Sequence, residues 1–269
     1  MASRFDGRTV LVTGTTGIAA AAARALAAEG ANVLVTSRTP EHVDELVRAL
    51  GARAAGQAAD LTQEAQVESV VRACVERFDR LDCVYSVAGI SARRYGDGPI
   101  HEMTLDGWQA ALANNVTSQF LVCRAAVRQM LSQEPRPDSG QRGVILNMSS
   151  VLSRHPSPEF FSTHGYAAGK GAIESLTRSI AAYYAPHGIR ANVIAPALVE
   201  TPMSRRAQSD PQIVAFASRK QPLAAGLLAP GDLVGAALFL LSDDARVITG
   251  QVIDVDGGWS ISEGRSLEP

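Results

Sequence analysis

Short apolar runs alternate along the chain with longer stretches whose apolar positions recur at helical spacing. Residues 9–13 (Thr-Val-Leu-Val-Thr) and 32–36 are the clearest strand-like runs, and further strands are expected near 83–86, 143–148, 190–194 and 251–254. Helices are expected over 19–28, 39–50, 63–78, 105–131, 166–185 and 231–241. Gly30 stops the first of these, and Thr39-Pro40-Glu41 starts the second with a cap, a proline at the first helical position and an acid in the first turn. The polar, proline-containing stretch 134–142 reads as an exposed loop. Strand and helix alternating without internal repeats predict an α/β fold: a Rossmann-type, doubly wound parallel sheet of about seven strands, with helices on both faces, in one domain spanning 1–269.

The first strand ends at Gly14-Thr15-Thr16-Gly17-Ile18, which opens an alanine-rich helix. Glycines at such a turn let the backbone approach a pyrophosphate, and the helix amino terminus offers unpaired N–H groups to the anion. The same glycines also suit an ordinary strand-to-helix turn. The second strand ends at Ser37-Arg38 with no carboxylate. A carboxylate there would accept from a free ribose 2′-hydroxyl, whereas a guanidinium suits a 2′-phosphate. Arg38 therefore favours NADP, with NAD open and a surface arginine as the plainer alternative.

Tyr166-Ala-Ala-Gly-Lys170 puts a phenol and an ammonium one helical turn apart, downstream of the paired serines Ser149-Ser150. A lysine beneath the ring is expected to favour the phenolate. Moving a tyrosine from about pKa 10 to about 7 takes roughly 4 kcal/mol. One unit charge about 4 Å away at an effective dielectric of about 20 supplies that order of energy.

Taken together, these residues resemble the short-chain dehydrogenase/reductase family, from about Asp6 to Trp259. The resemblance implies that Asp60-Leu61 contacts adenine, that Ala88-Gly89 closes the turn after the fourth strand, and that Asn115 holds a water in a proton relay. It further implies a catalytic serine at Ser150, completed by Tyr166 and Lys170, and a nicotinamide-side loop from Pro196 through Val199 to Thr201. The cofactor set so implied is Gly14, Thr16, Gly17, Ile18, Ser37, Arg38, Asp60, Leu61, Ala88, Gly89, Tyr166, Lys170, Pro196, Val199 and Thr201. Asp256-Gly257-Gly258-Trp259 resembles the family's carboxyl-terminal turn.

Three departures fall at functional places. Only Thr15-Thr16 separate the first two motif glycines, one residue fewer than the family's shorter branch carries, and Ala19 stands at the last glycine position. That spacing resembles the longer epimerase/dehydratase branch, although the Asn115 motif, the Asp256-Gly257-Gly258 ending and the modest length fit the shorter reductase type. Ser86-Val87 stands where the family commonly has two asparagines, and Ala197 replaces a glycine.

Composition narrows the function classes. A hydrophobic content of 46% over 269 residues fills one large core, and a net charge of −2 without a basic cluster argues against nucleic acid or an anionic membrane as partner. Neither a transmembrane span nor a signal peptide is read, so a cytoplasmic location is expected. Cys74, Cys83 and Cys123 lack metal-ligand spacing and read as reduced thiols; no metal is expected.

The substrate side is expected in two irregular stretches. Residues 151–165 hold His155, Phe160, Phe161 and His164, the histidines reading as solvent-facing and the phenylalanines as pocket wall or packing. Residues 200–228 resemble the family's substrate lid, where Arg205, Arg206, Arg219 and Lys220 either attract an anion or form a solvated face. The expected activity is NADP(H)-dependent hydride transfer to and from a small hydroxy/keto compound, with Tyr166 as acid/base. An extended-type epimerase or dehydratase, an enoyl-type reductase and a non-catalytic dinucleotide sensor remain as alternatives. The family resemblance also implies a homotetramer or homodimer formed through the helices before and after the catalytic strand, and alanine-rich faces such as 172–182 allow close packing.

Overall fold

The computed structural model describes residues 3–224 and 226–264. Among them, seven strands form one sheet in the order β3-β2-β1-β4-β5-β6-β7. They are β1 (Thr9–Thr13), β2 (Asn32–Ser37), β3 (Ala54–Ala58), β4 (Cys83–Ser86), β5 (Gly143–Met148), β6 (Ile189–Pro196) and β7 (Val252–Val255), and every neighbouring pair is parallel. Parallel neighbours need a crossover. Helices α1 (Gly17–Ala28), α2 (Pro40–Leu50), α3 (Glu64–Phe78), α4 (Leu105–Leu112), α5 (Ser118–Ser132), α6 (His164–Tyr184), α7 (Arg205–Gln208), α8 (Pro211–Lys220) and α9 (Val234–Leu241) lie in the connections.

Both faces of the sheet are covered. Val10 and Val12 of β1 pack with α1, α2 and α9 in one apolar layer, while Leu11, one residue out of phase, packs with α3, α5 and α6 in the other. A strand buried on both sides favours apolar residues at successive positions, which is why Val10-Leu11-Val12 reads as an unbroken run between the buried Thr9 and Thr13. Three predicted elements shift. The helix expected over 105–131 is α4 and α5 joined by a wider π-helical turn, Ala113–Thr117. The helix expected to begin at 166 starts at His164, and the one expected over 231–241 opens with a 3₁₀ turn, Pro230–Leu233. The loop 134–142 is not wholly exposed, because Arg136 reaches in to Asp82 and donates to it at 2.6 Å.

β1 is flanked by β2 on one side and β4 on the other, so chain order reverses there and a crevice opens beyond the carboxyl ends of the strands. No helix among the described residues is long and apolar enough to cross a membrane. The three cysteines are free and buried; burial pushes Cys74 and Cys83 up to about 12 and Cys123 up to about 11.

Candidate active site

The crevice is a cleft of about 980 Å³ lined by the ends of β1, β2, β4, β5 and β6 and by the loops that follow them. Its first wall is the glycine turn. Gly14 takes φ +100° and donates its N–H to Thr36 O at 2.7 Å; Gly17 takes φ +52° and begins α1. Thr16 is the residue before the helix, and its side chain makes no cap, so the first N–H groups of α1 stay without side-chain acceptors. The shortened turn thus still delivers strand, bend and open helix end. A Cβ at Gly17 would lie 2.9 Å from Thr201 Cγ2, so the loop after Pro196 closes directly onto the turn.

Thr13 reaches the altered turn after β4. Its hydroxyl accepts from Val87 N–H at 3.0 Å and Ala88 N–H at 3.1 Å, tying the end of β1 to that turn, while the buried Ser86 hydroxyl has no partner among the described residues. Ser37 and Arg38 line the cleft at the end of β2, with His42 beside them, a residue that sequence reading missed. The Asp60 carboxylate accepts from Thr62 N–H at 3.0 Å and from its hydroxyl at 2.8 Å, and Asp60 and Leu61 face the same cleft. Ile18, Ala88, Gly89, Val199 and Pro196 complete that wall. The tight glycines and the open amino end of α1 fit the pyrophosphate of a dinucleotide.

The second wall holds Ser149, Ser150, Tyr166 and Lys170. Asn115 sits in the π turn with no exposure, its Oδ1 accepting from Ile90 N–H at 3.0 Å and its Nδ2 donating to Ile90 O at 3.0 Å and Ala111 O at 2.9 Å. Every contact of that amide is to backbone. Asn115 therefore fastens the turn after β4 to the helix. Gly89 is required by this approach, since a Cβ there would meet Asn115 Oδ1 at 2.6 Å.

The two serines divide. Ser149 is buried and donates to Lys170 O at 3.0 Å and to Glu174 Oε1 at 2.8 Å, so its hydroxyl is used in the interior. Ser150 faces the cleft beside Tyr166, and its hydroxyl accepts from Leu152 N–H at 3.3 Å. Lys170, 2% exposed, donates from Nζ to Met148 O at 2.8 Å and lies 5.6 Å from the Tyr166 ring centroid. The expected lowering of the phenol by Lys170 is not found. Burial pushes Tyr166 up to about 12, with the Ser150 hydroxyl pulling the other way, and burial pushes Lys170 down to about 7. Desolvation penalises the charged form of each group and is the leading cause of both shifts. Asp97, buried and unremarked in the sequence, accepts from Gly165 N–H and Tyr166 N–H, both at 2.9 Å, and so caps the helix that carries the tyrosine.

The third wall settles the irregular stretches. Phe160 packs on Phe216 of α8 at 5.2 Å, and Phe161 on Trp259 at 5.9 Å, so the loop 151–165 is pinned to α8 and to Trp259 while Phe161 also lines the cleft. His164 is exposed, with Nδ1 2.8 Å from Gly98 O; His155 is half-buried. The four basic residues singled out in 200–228 separate: Arg205 and Arg206 line the cleft, whereas Arg219 and Lys220 donate to Gly264 O and Ser262 O. Arg93 and Arg94 join the first pair. No motif marked them, and the doublet after Gly89 was the only signal.

Residues 12–260 match the family model described as Enoyl-(Acyl carrier protein) reductase, and with the parallel sheet and cleft this defines the class: the chain belongs to the short-chain dehydrogenase/reductase family. It is 36% identical over 266 residues to 3β-hydroxysteroid dehydrogenase 1 of Eggerthella lenta, covering 97% of this chain and 96% of that protein. It is 33% identical to cis-4-hydroxycyclohexanecarboxylate dehydrogenase of Sinomonas cyclohexanicum, covering 97% and 99%. Among solved structures, gluconate 5-dehydrogenase from Burkholderia cenocepacia J2315 in complex with NADP and tartrate superposes with a TM-score of 0.85 at 31% identity, covering 96% of this chain and 97% of that one. The named relatives are hydroxyl-group dehydrogenases, and this chain is an oxidoreductase of their family.

Proposed function

We propose that the protein is an NADP(H)-dependent dehydrogenase that moves a hydride between a nicotinamide and a secondary alcohol or ketone of a small molecule. The observation that carries this reading is that Ser150, Tyr166 and Lys170 line one cleft with the open glycine turn, braced from behind by Asn115. Arg38 at the end of β2 supports the phosphorylated cofactor, as does the NADP bound by the Burkholderia relative. Gly14, Thr16, Gly17, Ile18 and the 196–201 loop would hold the pyrophosphate and nicotinamide side, with Ser37, Arg38, Asp60 and Leu61 on the adenosine side. The bound nicotinamide supplies the hydride donor or acceptor.

The chain's own residues handle the proton and the oxygen. Ser150 orients the substrate oxygen by hydrogen bonding and steadies its developing charge. Tyr166, protonated at neutral pH because burial holds its pKa at about 12, donates from Oη during carbonyl reduction. Alcohol oxidation requires the reverse transfer, and a protonated Lys170 beneath the ring favours it. Asn115 is a positioning residue that holds Ile90 and the π turn in register. The stretch 200–228 acts as the lid, and its attachment to the 151–165 loop through Phe160 and Phe216 supports that role.

Replacing Tyr166 by Phe is expected to lower kcat at least about 100-fold while leaving NADPH affinity nearly unchanged; retained turnover would sink the assignment. The matched family description keeps reduction of an activated C=C bond as a second reading. An enoyl thioester assayed beside a ketone discriminates the two by which one consumes NADPH. We extend the reading to a homotetramer or homodimer through α5 and α6, supported by Phe120 and Tyr183, which are 40% and 70% exposed. A monomer by light scattering would remove that part.

A further inference from the structure

The rim of the cleft carries arginines that form no ion pair among the described residues. Its frame is the segment after Gly89, where Ala92 is 2% exposed and takes φ +55°, a left-handed conformation disfavoured for a residue with a Cβ. Directly after it, Arg93 opens a short 3₁₀ turn, Arg93–Tyr95, and lines the cleft. Arg93 Nη2 donates to Phe160 O at 3.0 Å. From the lid, Arg206 Nη2 donates to the same oxygen at 2.9 Å. Two guanidinium nitrogens thus sit within about 6 Å of each other, a separation at which like charges repel appreciably.

The acceptor they share is a neutral carbonyl. Among the described residues neither arginine forms an ion pair, although Arg8, Arg136 and Arg154 all pair with carboxylates. Asp97 is the acidic group that acts on Arg93, and its carboxylate already accepts from Gly165 and Tyr166 N–H. Burial first, and the charge of Arg206 second, make Arg93 a weaker base than usual. Arg205 and Arg94 add charge to the cleft lining, while the half-buried Phe161 offers apolar surface to a carbon skeleton. Two forked donors converging on one weak acceptor, beside a hydride-transfer site, are arranged for an oxyanion.

We infer that Arg93 and Arg206 form a subsite for an anionic group of the substrate, so that the protein acts on hydroxy or keto compounds carrying a carboxylate, sulfonate or phosphate. The inference rests on the dehydrogenase reading for its substrate and on the arginine geometry for its subsite, and the two are separable. The probes are 4-hydroxypentanoate with its methyl ester, 3-hydroxybutanesulfonate and 3-hydroxybutyl phosphate, assayed with NADP on wild type, Arg93→Gln, Arg206→Gln and Arg206→Lys. At least one anion is expected to exceed the ester by about tenfold or more in kcat/KM, and each Gln variant to cut that ratio about tenfold, with Arg206→Lys between. The anion that leads identifies the chemical source. An ester used as well as every anion, or a ratio unmoved by both Gln variants, overturns the subsite and leaves the dehydrogenase reading standing. Should no probe be turned over, calorimetry of the same anions against the NADPH-loaded proteins decides. Binding that either Gln variant abolishes upholds the subsite and counts against the dehydrogenase reading, whereas binding that is absent or indifferent to both variants overturns the subsite. Arg206 is exposed, so its variants test the idea even if Arg93→Gln fails to fold.

Discussion

Two polar regions meet at Tyr166 and are built on opposite terms. Behind the tyrosine, the Asn115 amide, the Lys170 ammonium and the Glu174 carboxylate are each matched to partners: Ile90 and Ala111 for the first, Met148 O for the second, and Ser149, Ser153 and Arg154 for the third. In front of it, two arginines share one carbonyl oxygen. A buried polar cluster with every partner in place is rigid, and alteration there is costly. A rim with surplus donors and a solvent path can exchange its temporary acceptor for a ligand. The contrast separates a buried, fully engaged cluster from a rim of arginines whose shared acceptor is a neutral carbonyl.

The sharpest way to break the interior side is Gly89→Ala. The new methyl would meet Asn115 Oδ1 at 2.6 Å, and that amide has no freedom to retreat because three backbone groups hold it. A loss of about 1–3 kcal/mol in unfolding free energy is expected from overpacking. The accompanying displacement of Asn115 should lower kcat/KM by about 100-fold; unchanged thermal melting together with unchanged turnover would contradict the packing account.

Asp97→Ala acts at the seam between the regions. It strips the acceptor from two N–H groups at the start of the helix that carries Tyr166. Loss of such a cap costs about 1–2 kcal/mol. Turnover should fall by about tenfold with NADPH affinity preserved, and a purely structural role would instead lower stability without moving kcat.

A smaller effect isolates Lys170. Its folded-state pKa of about 7 lies below the ordinary value of 10.5, so between those limits the unfolded chain holds a proton that the folded chain has shed. The wild type should therefore gain stability relative to Lys170→Met as pH rises from 7 to 9, by at most about 1.4 kcal/mol per pH unit. Urea midpoints of both cofactor-free proteins at the two pH values check this. A difference that stays constant, or runs the other way, would mean that the ammonium is not desolvated.

The sequence revealed the interior far better than the rim. Strand runs such as Thr9–Thr13 are legible because burial on both faces favours apolar residues at successive positions, and the Tyr166–Lys170 spacing is legible because a helix repeats. β3 escaped: Ala54–Ala58 has no bulky apolar residue, because Gly56 lies where a side chain would strike Val43 and Val47 of α2. The π turn at 113–117 also escaped, since nothing local separates its residues from ordinary helix. Arg93 and Arg206 lie 113 positions apart and meet only at the carbonyl of a third segment, so no spacing rule reaches them. The direction of the Tyr166 shift was misjudged for a related reason: Coulomb attraction was legible from spacing, but the opposing desolvation depends on the whole fold.

The central claim, that this cleft is an NADP-dependent dehydrogenase site, is tested most directly by calorimetric titration of the purified protein with NADPH and NADH side by side, repeated on Arg38→Ala. The account predicts that NADPH binds at least about tenfold more tightly and that the variant erases the difference. Equal or NADH-favoured binding by the wild type would contradict the cofactor assignment, and binding of neither would contradict the claim that the shortened glycine turn still receives a dinucleotide.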